Sequence, residues 1–353
     1  MNEKIINMYF ATHKTCNLNC SYCYIPDNNR YQKKIEDKKI IDSLTKFINK
    51  VENENYMIGS FCFHGTEATL MSPETLGRCI NLVKQHWGKN QQYELTVVIQ
   101  TNGKNLTEKY LNKLLNFISY EDLKIGFSID PPEIVHNKYR DNSWDVVTTN
   151  FTLAQDLGFK VSVLSVVTKE TLLHLEEFSR WMKEQLEKKE KYGNPYRVKI
   201  KFATGSVSFE PKDFIEFSDF IINENLLSLP QILTPGYCIQ RGNECMWFEF
   251  DIDGNCYSCN KTYNEDGIFA NWFYESFEKI FDKRKKLYKL QYINEECFKC
   301  PYEILCNSGC PIDRWQKGDL IGKAHECLLI KKVFDFIINK KNMNLIEFYN
   351  KNN

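Results

Sequence analysis

The stretch "TCNLNCSYCY", residues 15–24, places Cys16, Cys20 and Cys23 within eight residues. Cysteine thiolates hold iron–sulfur clusters, and a cubane cluster contains four irons. Three protein ligands leave one iron open to a small molecule, whereas a structural zinc site is closed by four ligands. The spacing C-x3-C-x2-C therefore predicts a cluster with one open iron, with half of a zinc site as the alternative.

Length and composition narrow the class of protein. A chain of 353 residues suggests about two domains. It opens without a secretory signal and contains no run of the ~18 apolar residues that a membrane span needs, so we expect a cytoplasmic protein without a membrane partner. In that compartment 14 cysteines indicate metal binding rather than disulfides. Because Lys+Arg and Asp+Glu both number 46, we expect no nucleic-acid partner.

Strand-like and helical patterns alternate through the first 235 residues. After the first strand, apolar residues recur at helical spacing: Ile40, Ile41, Leu44, Phe47, Ile48 and Val51. Ser72 is a predicted N-cap, and Gly158 a predicted helix end. Six βα units predict a parallel sheet in an α/β fold, and six are too few to close an eight-stranded barrel. We therefore expect a partial (β/α)6 barrel whose chemistry lies at the carboxyl ends of the strands.

The cysteine triplet after the first strand resembles the radical S-adenosylmethionine (SAM) superfamily. This resemblance implies that the open iron binds the amino and carboxylate groups of SAM. Cleavage of SAM then gives a 5′-deoxyadenosyl radical, which abstracts a hydrogen atom from the substrate. Tyr22, just before the third cysteine, matches the position beside the adenine.

Further segments at predicted strand ends match the same family in order. "FHGTEATL", residues 63–70, resembles the Gly-Gly-Glu segment that binds the SAM amino group, with Thr66 in place of the second glycine. "QTNG", "FSID" and "HNKYR" resemble the remaining SAM contacts. The resemblance thus implies a SAM-binding set of Tyr22, Gly65, Thr66, Glu67, Asn102, Ser128, Asp130 and Arg140.

Nine more cysteines lie between residues 238 and 327, after a Pro- and Gly-containing stretch. We expect a radical SAM barrel over 1–235, a cysteine-rich domain over 236–328, and a C-terminal helix and tail over 329–353. The spacing of this second group resembles the SPASM extension, which holds two auxiliary 4Fe–4S clusters. The resemblance implies one cluster on Cys238, Cys245, Cys259 and Cys310, and another on Cys297, Cys300, Cys306 and Cys327.

One cysteine of this group, Cys256, is left without a cluster. It follows a hairpin turn predicted at Asp253-Gly254. Its thiol is either a hydrogen-atom donor to a substrate radical or a half-buried strand residue. Cys62 and Cys79 are expected in the core.

The resemblance implies an oxidoreductase that carries three 4Fe–4S clusters and SAM. Our main expectation is a maturase that abstracts a hydrogen from a ribosomally made precursor peptide and installs a C–C or thioether cross-link. Many peptide maturases carry a leader-binding module before the barrel, but here the first strand begins near Ile5. We therefore expect precursor binding by the barrel mouth, the extension or a separate protein. A flavodoxin or ferredoxin would supply electrons.

Three alternatives remain open. A peptide epimerase would use Cys256. An anaerobic sulfatase-maturing enzyme would form formylglycine, but that family has an aspartate base where this chain has Asn260, and an amide cannot accept the proton. A non-catalytic electron carrier would ligate every iron with protein, unlike the triplet.

Overall fold

The computed structural model describes residues 4–25, 34–87, 96–192, 197–226, 247–259, 262–263, 265–289, 294–306, 323 and 326–340. The strands are β1 (Lys4–Ala11), β2 (Tyr56–His64), β3 (Thr96–Thr101), β4 (Lys124–Ser128), β5 (Lys160–Val167), β6 (Arg197–Phe202), β7 (Trp247–Asp251), β8 (Asn255–Tyr257) and β9 (Ile268–Asn271). The helices are α1 (Asp37–Asn53), α2 (Pro73–Trp87), α3 (Glu108–Leu114), α4 (Glu133–Tyr139), α5 (Trp144–Asp156), α6 (Lys169–Leu172), α7 (Leu175–Tyr192), α8 (Pro211–Asn223), α9 (Phe277–Lys289), α10 (Glu295–Phe298), α11 (Glu303–Cys306) and α12 (Cys327–Lys340).

The chain divides into two compact units. The first comprises residues 1–129, 136–163 and 246–284, and the second comprises 130–135, 164–245 and 285–353. Strands of the first unit follow the order β4-β3-β2-β1-β7-β8-β9. The pairs β1–β2, β2–β3, β3–β4 and β1–β7 are parallel, which confirms the α/β class with a parallel sheet.

The helix boundaries follow the local signals in the sequence. The Ser72 hydroxyl accepts the N–H of Thr75 at 3.1 Å and so caps α2. Gly158 follows α5 with φ +91°, a conformation that glycine adopts without strain. In α1, most of the residues predicted to face the core are buried, and Ile41 is half-buried.

The predicted hairpin exists, but it belongs to the sheet of the first unit. β7 and β8 are antiparallel, and Gly254 lies in their turn with φ +91°. β7 also pairs in parallel with β1, with Ala11 opposite Asp251. The sequence pattern had placed this hairpin in a separate cysteine-rich region, because a strand of five residues does not indicate its partner.

An aromatic cluster packs α1 against the β7–β9 segment. The Phe47 ring lies 4.9 Å from Phe250 and 5.0 Å from Trp272, centroid to centroid, and the Trp272 contact is edge-to-face. Phe47 also contacts Phe10 of β1 and Phe277 of α9. These aromatic contacts therefore hold the β7–β8 hairpin against β1.

The second unit has its own apolar core. Phe202 of β6 packs against Phe214 and Phe217 of α8, at 4.9 and 5.9 Å between ring centroids. α8 also contacts α12, and Lys332 forms an ion pair with Asp219 across those two helices. The predicted domain boundary at residue 235 lies outside the described residues. Within the described part of the chain, no helix is long and apolar enough to cross a membrane.

We expect Phe47→Ala to lower the free energy of unfolding by about 3–5 kcal/mol, because it leaves a cavity among four aromatic rings. Urea denaturation would measure this loss. Tyr274→Ala is the control: this side chain is 87% exposed, so the change should stay within about 0.5 kcal/mol. Equal losses in the two variants would contradict a central role for Phe47.

Candidate functional site

The cysteine triplet lies in the loop after β1, at the carboxyl end of a strand. Cys16, Cys20 and Cys23 are each partly exposed. The N–H of Cys23 donates to the carbonyl of Cys20 at 3.1 Å, which closes a tight turn. Cys23 also packs against a buried group made of Ala11, Ile25, Tyr257 and Tyr263. The loop is thus anchored while its thiols keep some exposure.

The Cys16 thiol is disfavoured as a thiolate in the protein alone. Burial, followed by the nearby carboxylate of Glu67, raises the pKa of Cys16 to about 11. A bound iron centre would offset both effects, because the thiolate is the metal ligand. Among the described residues, no three His, Cys, Asp or Glu side chains are grouped to hold a single metal ion. The donor set of three partly exposed cysteine thiols fits an iron–sulfur cluster, whose irons are held by cysteine thiolates.

The Glu67 carboxylate lies just beyond β2 and is held by bonds from the protein. Its Oε1 accepts the N–H of Thr69 at 3.0 Å and the hydroxyls of Thr69 and Thr101. Its Oε2 accepts the backbone N–H of Asn102 at 2.8 Å. The side chain is 1% exposed. Because Thr101 and Asn102 lie at the end of β3, these bonds tie the ends of two strands together.

The two residues before Glu67 explain why one glycine is needed there and the other is not. Gly65 has φ +102°, and a Cβ at this position would lie 2.7 Å from the Cβ of Ala11. Thr66 occupies the position of the expected second glycine, and its hydroxyl donates to the carbonyl of His13 at 2.6 Å. The threonine therefore adds a bond between this segment and the loop after β1.

Asn102 connects the end of β3 with the cysteine loop. Its amide nitrogen donates to Asn17 Oδ1 at 2.7 Å and lies 3.7 Å from Cys16 Sγ. A polar contact beside the first cysteine is consistent with the expected position next to SAM.

Tyr22 and Arg140 contact each other. A guanidinium N–H of Arg140 donates to the Tyr22 hydroxyl at 2.7 Å. The backbone N–H of Ser21 donates to the carbonyl of Tyr139 at 3.1 Å. These bonds attach the cysteine loop to the end of α4.

The two other predicted SAM contacts bond to neighbouring protein groups. Ser128 Oγ accepts the side-chain amide of Gln100 at 3.1 Å. Asp130 belongs to the second unit, where its Oδ1 accepts the N–H of Val166 at 2.7 Å.

In the second unit, four cysteines line one pocket. They are Cys297, Cys300, Cys306 and Cys327, which form the second of the predicted auxiliary sets. Lys323 and Lys331 line the same pocket together with Glu296 and Glu303, so the charges around it balance. The donor set of four cysteines fits an iron–sulfur cluster.

The other predicted auxiliary set is described only at Cys259, which is buried. Cys238, Cys245, Cys310 and Asn260 lie outside the described residues. Cys256 is 0% exposed on β8, and burial raises the pKa of its thiol well above the usual value. This burial favours the alternative of a packed strand residue over a hydrogen-atom donor.

Two polar residues that were not predicted as site residues lie on the two strands that flank β1 in the first unit. His64 is the last residue of β2, and the Nδ1 of its imidazole lies 3.8 Å from the carboxylate of Glu249 on β7. The signal in the sequence is the alternation in "MWFEFDIDG", residues 246–254, which puts Glu249 and Asp251 on one face of a strand. Only the pairing of β7 with β1 reveals that this face is buried.

Comparisons with known proteins agree with the cysteine triplet. Residues 11–182 match the family model of the radical SAM superfamily. The chain is 26% identical to the cysteine-type anaerobic sulfatase-maturating enzyme of Clostridium perfringens (strain ATCC 13124), over 91% of this chain and 93% of that protein. It is 22% identical to the serine-type enzyme of Bacteroides thetaiotaomicron, over 86% of this chain and 81% of that one.

A solved structure has the same fold over nearly the whole chain. It is anSMEcpe with bound AdoMet, which superimposes with a TM-score of 0.76 at 22% identity, over 98% of this chain and 99% of that one. The radical SAM superfamily implies a 4Fe–4S cluster and SAM. Residues 11–182 of this chain are therefore a radical SAM domain, which confirms the family expected from Cys16, Cys20 and Cys23.

Proposed function

We propose that this chain is a sulfatase-maturating enzyme that oxidises a cysteine side chain of a sulfatase to formylglycine. The observation that carries the proposal is the similarity to the cysteine-type enzyme, which extends over more than nine-tenths of both chains. The expected cross-linking maturase is wrong, because relatives that match along most of the chain are sulfatase-maturating enzymes of cysteine and serine type. Our expectation gave too much weight to Asn260, a single position.

The residues that would hold the SAM-binding cluster and the amino group of SAM lie in the first unit. Cys16, Cys20 and Cys23 would ligate the cluster, and Gly65 and Glu67 would bind the amino group of SAM. When bound, the cluster and SAM supply the radical that removes a hydrogen atom from the substrate. The bonds that Glu67 accepts from Thr69, Thr101 and Asn102 hold its carboxylate in place, and such prior ordering lowers the entropy lost on binding.

The second cysteine group would make the C-terminal part a SPASM domain with two auxiliary clusters. Cys297, Cys300, Cys306 and Cys327 would ligate one of them in the pocket that they line. Cys238, Cys245, Cys259 and Cys310 would ligate the other. Clusters with four protein ligands exchange electrons with potentials that the protein tunes over hundreds of millivolts. They would accept the electron that leaves the substrate, and a flavodoxin or ferredoxin would reduce the SAM-binding cluster.

The reaction requires more than radical generation. Conversion of a cysteine to formylglycine removes a hydrogen atom from Cβ, a proton from sulfur and one further electron, and it gives a thioaldehyde. Water then replaces sulfur by oxygen and releases hydrogen sulfide. A residue of this chain must accept the thiol proton, and Asn260 is unsuited to that role because an amide is not a base at neutral pH.

The function is tested with the reconstituted enzyme, SAM, a chemical reductant and a peptide that carries a sulfatase cysteine motif. We expect the cysteine to be converted to an aldehyde, detected by mass spectrometry after trapping with a hydrazine. A peptide with Ala in place of the cysteine is the control, and a Ser peptide tests the serine type. A product that has lost two hydrogens and forms no hydrazone would overturn the proposal.

Glu67→Gln is expected to weaken SAM binding at least about tenfold, because a carboxylate gives a charge-assisted bond to an ammonium and an amide does not. Equilibrium binding of SAM would measure the loss. The iron content should stay unchanged, since Glu67 is not a cluster ligand. Glu108→Gln, an exposed substitution in the first turn of α3, is the matched control. Wild-type affinity in Glu67→Gln would exclude this residue from SAM binding.

Replacement of Cys297, Cys300, Cys306 and Cys327 by Ala should remove about a third of roughly twelve irons per chain, because each of three cubanes holds four. Iron analysis after reconstitution would measure this loss of iron, and SAM binding should persist. Cys79→Ala, at a buried position of α2 outside the predicted ligand sets, should keep all the iron. Unchanged iron in the fourfold variant would exclude a cluster from this pocket.

A further inference from the structure

The Glu249 carboxylate is buried without the hydrogen bonds that usually accompany such burial. It lies on β7 opposite Tyr9 of β1, and it is 0% exposed. Neither of its oxygens accepts a hydrogen bond from a described residue. Burial of an ionisable group without hydrogen bonds destabilises the folded protein, so the stability of the fold does not explain its presence.

The neighbouring carboxylate on the same face of β7 shows the contrast. Asp251 Oδ1 accepts the backbone N–H groups of Asp253 and Asn255, both at 2.9 Å. Its Oδ2 accepts the side-chain amide of Asn255 at 2.9 Å and the Tyr257 hydroxyl at 3.1 Å. Asp251 therefore shapes the hairpin turn, and its burial has a structural reason. Glu249 makes no comparable set of bonds with the described residues.

The imidazole of His64, at the end of β2, lies beside Glu249. The imidazole Nδ1 lies 3.8 Å from Glu249 Oε2, and the His64 side chain is 11% exposed while that of Glu249 is 0% exposed. The Tyr9 ring packs at 5.1 Å from the imidazole, and Trp247 packs at 4.7 Å from Tyr9. The pair thus has an imidazole on its more accessible side and a carboxylate behind it.

This pair adjoins the segment proposed to bind SAM. His64 directly precedes Gly65, Thr66 and Glu67 in the chain. A Cβ added at Gly65 would lie 3.3 Å from Glu249 Oε1, so the carboxylate lies close to the backbone of this segment. A substrate carbon that reacts with a SAM-derived radical must lie near SAM. The imidazole is therefore placed close to where such a substrate reacts.

We propose that His64 accepts the proton of the substrate cysteine thiol and that Glu249 positions its imidazole, a pairing in which a carboxylate orients a base. This inference rests on the proposed formylglycine-forming function. The S–H bond breaks and an N–H bond forms on the imidazole. The hydrogen atom from Cβ goes to the SAM-derived radical, and the remaining electron goes to an oxidised iron–sulfur cluster.

The electrostatics of the pair agree with this assignment. Burial raises the pKa of Glu249, and His64 opposes that rise. An imidazole that gains a proton therefore stabilises the ionised carboxylate behind it, and the carboxylate in turn stabilises the imidazolium. Among the described residues, the titratable groups near Glu249 are Tyr9 from β1, His64 from β2, Asp251 from β7, Tyr257 from β8 and Tyr263.

The test compares His64→Gln with wild type on a cysteine peptide deuterated at Cβ. Loss of a general base should reduce aldehyde formation about 10²- to 10⁴-fold. Deuterium should still enter 5′-deoxyadenosine, so that the ratio of 5′-deoxyadenosine to aldehyde rises well above one. The iron content and the dissociation constants for SAM and for the peptide should match wild type, which separates proton transfer from binding.

Glu249→Gln tests the positioning role through the pH profile. Without the carboxylate, the imidazolium loses stabilisation, so the acid limb of kcat/KM should move to lower pH while kcat falls. Glu249→Asp should restore part of both. A purely structural role would lower the amount of folded enzyme and leave the limb unmoved. If His64→Gln does not fold, the pH profile of Glu249→Gln still tests whether the pair acts in proton transfer.

The chain offers a matched control pair at the surface of the second unit. His174 Nε2 lies 3.9 Å from Glu170, with both side chains about one-fifth exposed. His174→Gln and Glu170→Gln should leave the rate, the product ratio and the pH profile unchanged. Wild-type aldehyde yield in His64→Gln, within about tenfold, would overturn the assignment while the proposed function stands. Absence of aldehyde in wild type would instead overturn the proposed function.

Discussion

The parallel pairing of β1 with both β2 and β7 is the constraint on which the candidate site depends. β1 precedes the cysteine loop, β2 precedes the segment from Gly65 to Glu67, and β7 carries Glu249. In a parallel sheet the carboxyl ends of neighbouring strands lie at the same edge. Segments that are distant in the chain, at residues 16–23, 64–67 and 247–251, are therefore brought to one edge of the sheet by strand pairing.

The polar groups at this edge divide into those that hold the fold and those that the fold leaves available. Asp251 and Glu67 accept several protein hydrogen bonds each, so their burial is compensated locally. Glu249 is buried beside His64 without such compensation among the described residues. An ionisable group kept in the interior without hydrogen bonds is more readily explained by chemistry than by stability. The aromatic cluster around Phe47 supplies the apolar burial that keeps β7 in place nonetheless.

The prediction of a cross-linking reaction was wrong for a reason that lies in the chemistry of the superfamily. The cysteine triplet indicates how a radical is generated, and the proposed auxiliary clusters would accept electrons, but these steps are shared by many reactions. The outcome depends on which groups surround the substrate carbon. Asn260 was taken as evidence against formylglycine formation, yet a proton acceptor can come from another strand. His64 and Glu249 lie 185 residues apart in the sequence, so no local motif joins them.

The sequence by itself determined the alternation of strands and helices, the cysteine loop after β1 and the Gly65–Glu67 segment, because turn residues, hydrophobic periodicity and ligand spacing act over short distances. It also predicted the hairpin at Asp253-Gly254. Only the tertiary structure decided that this hairpin joins the sheet beside β1, that Thr66 bonds to the cysteine loop, and that Glu249 faces His64. These features depend on strand pairing between distant segments, and pairing is set by the burial of whole faces rather than by any residue and its neighbours in the chain.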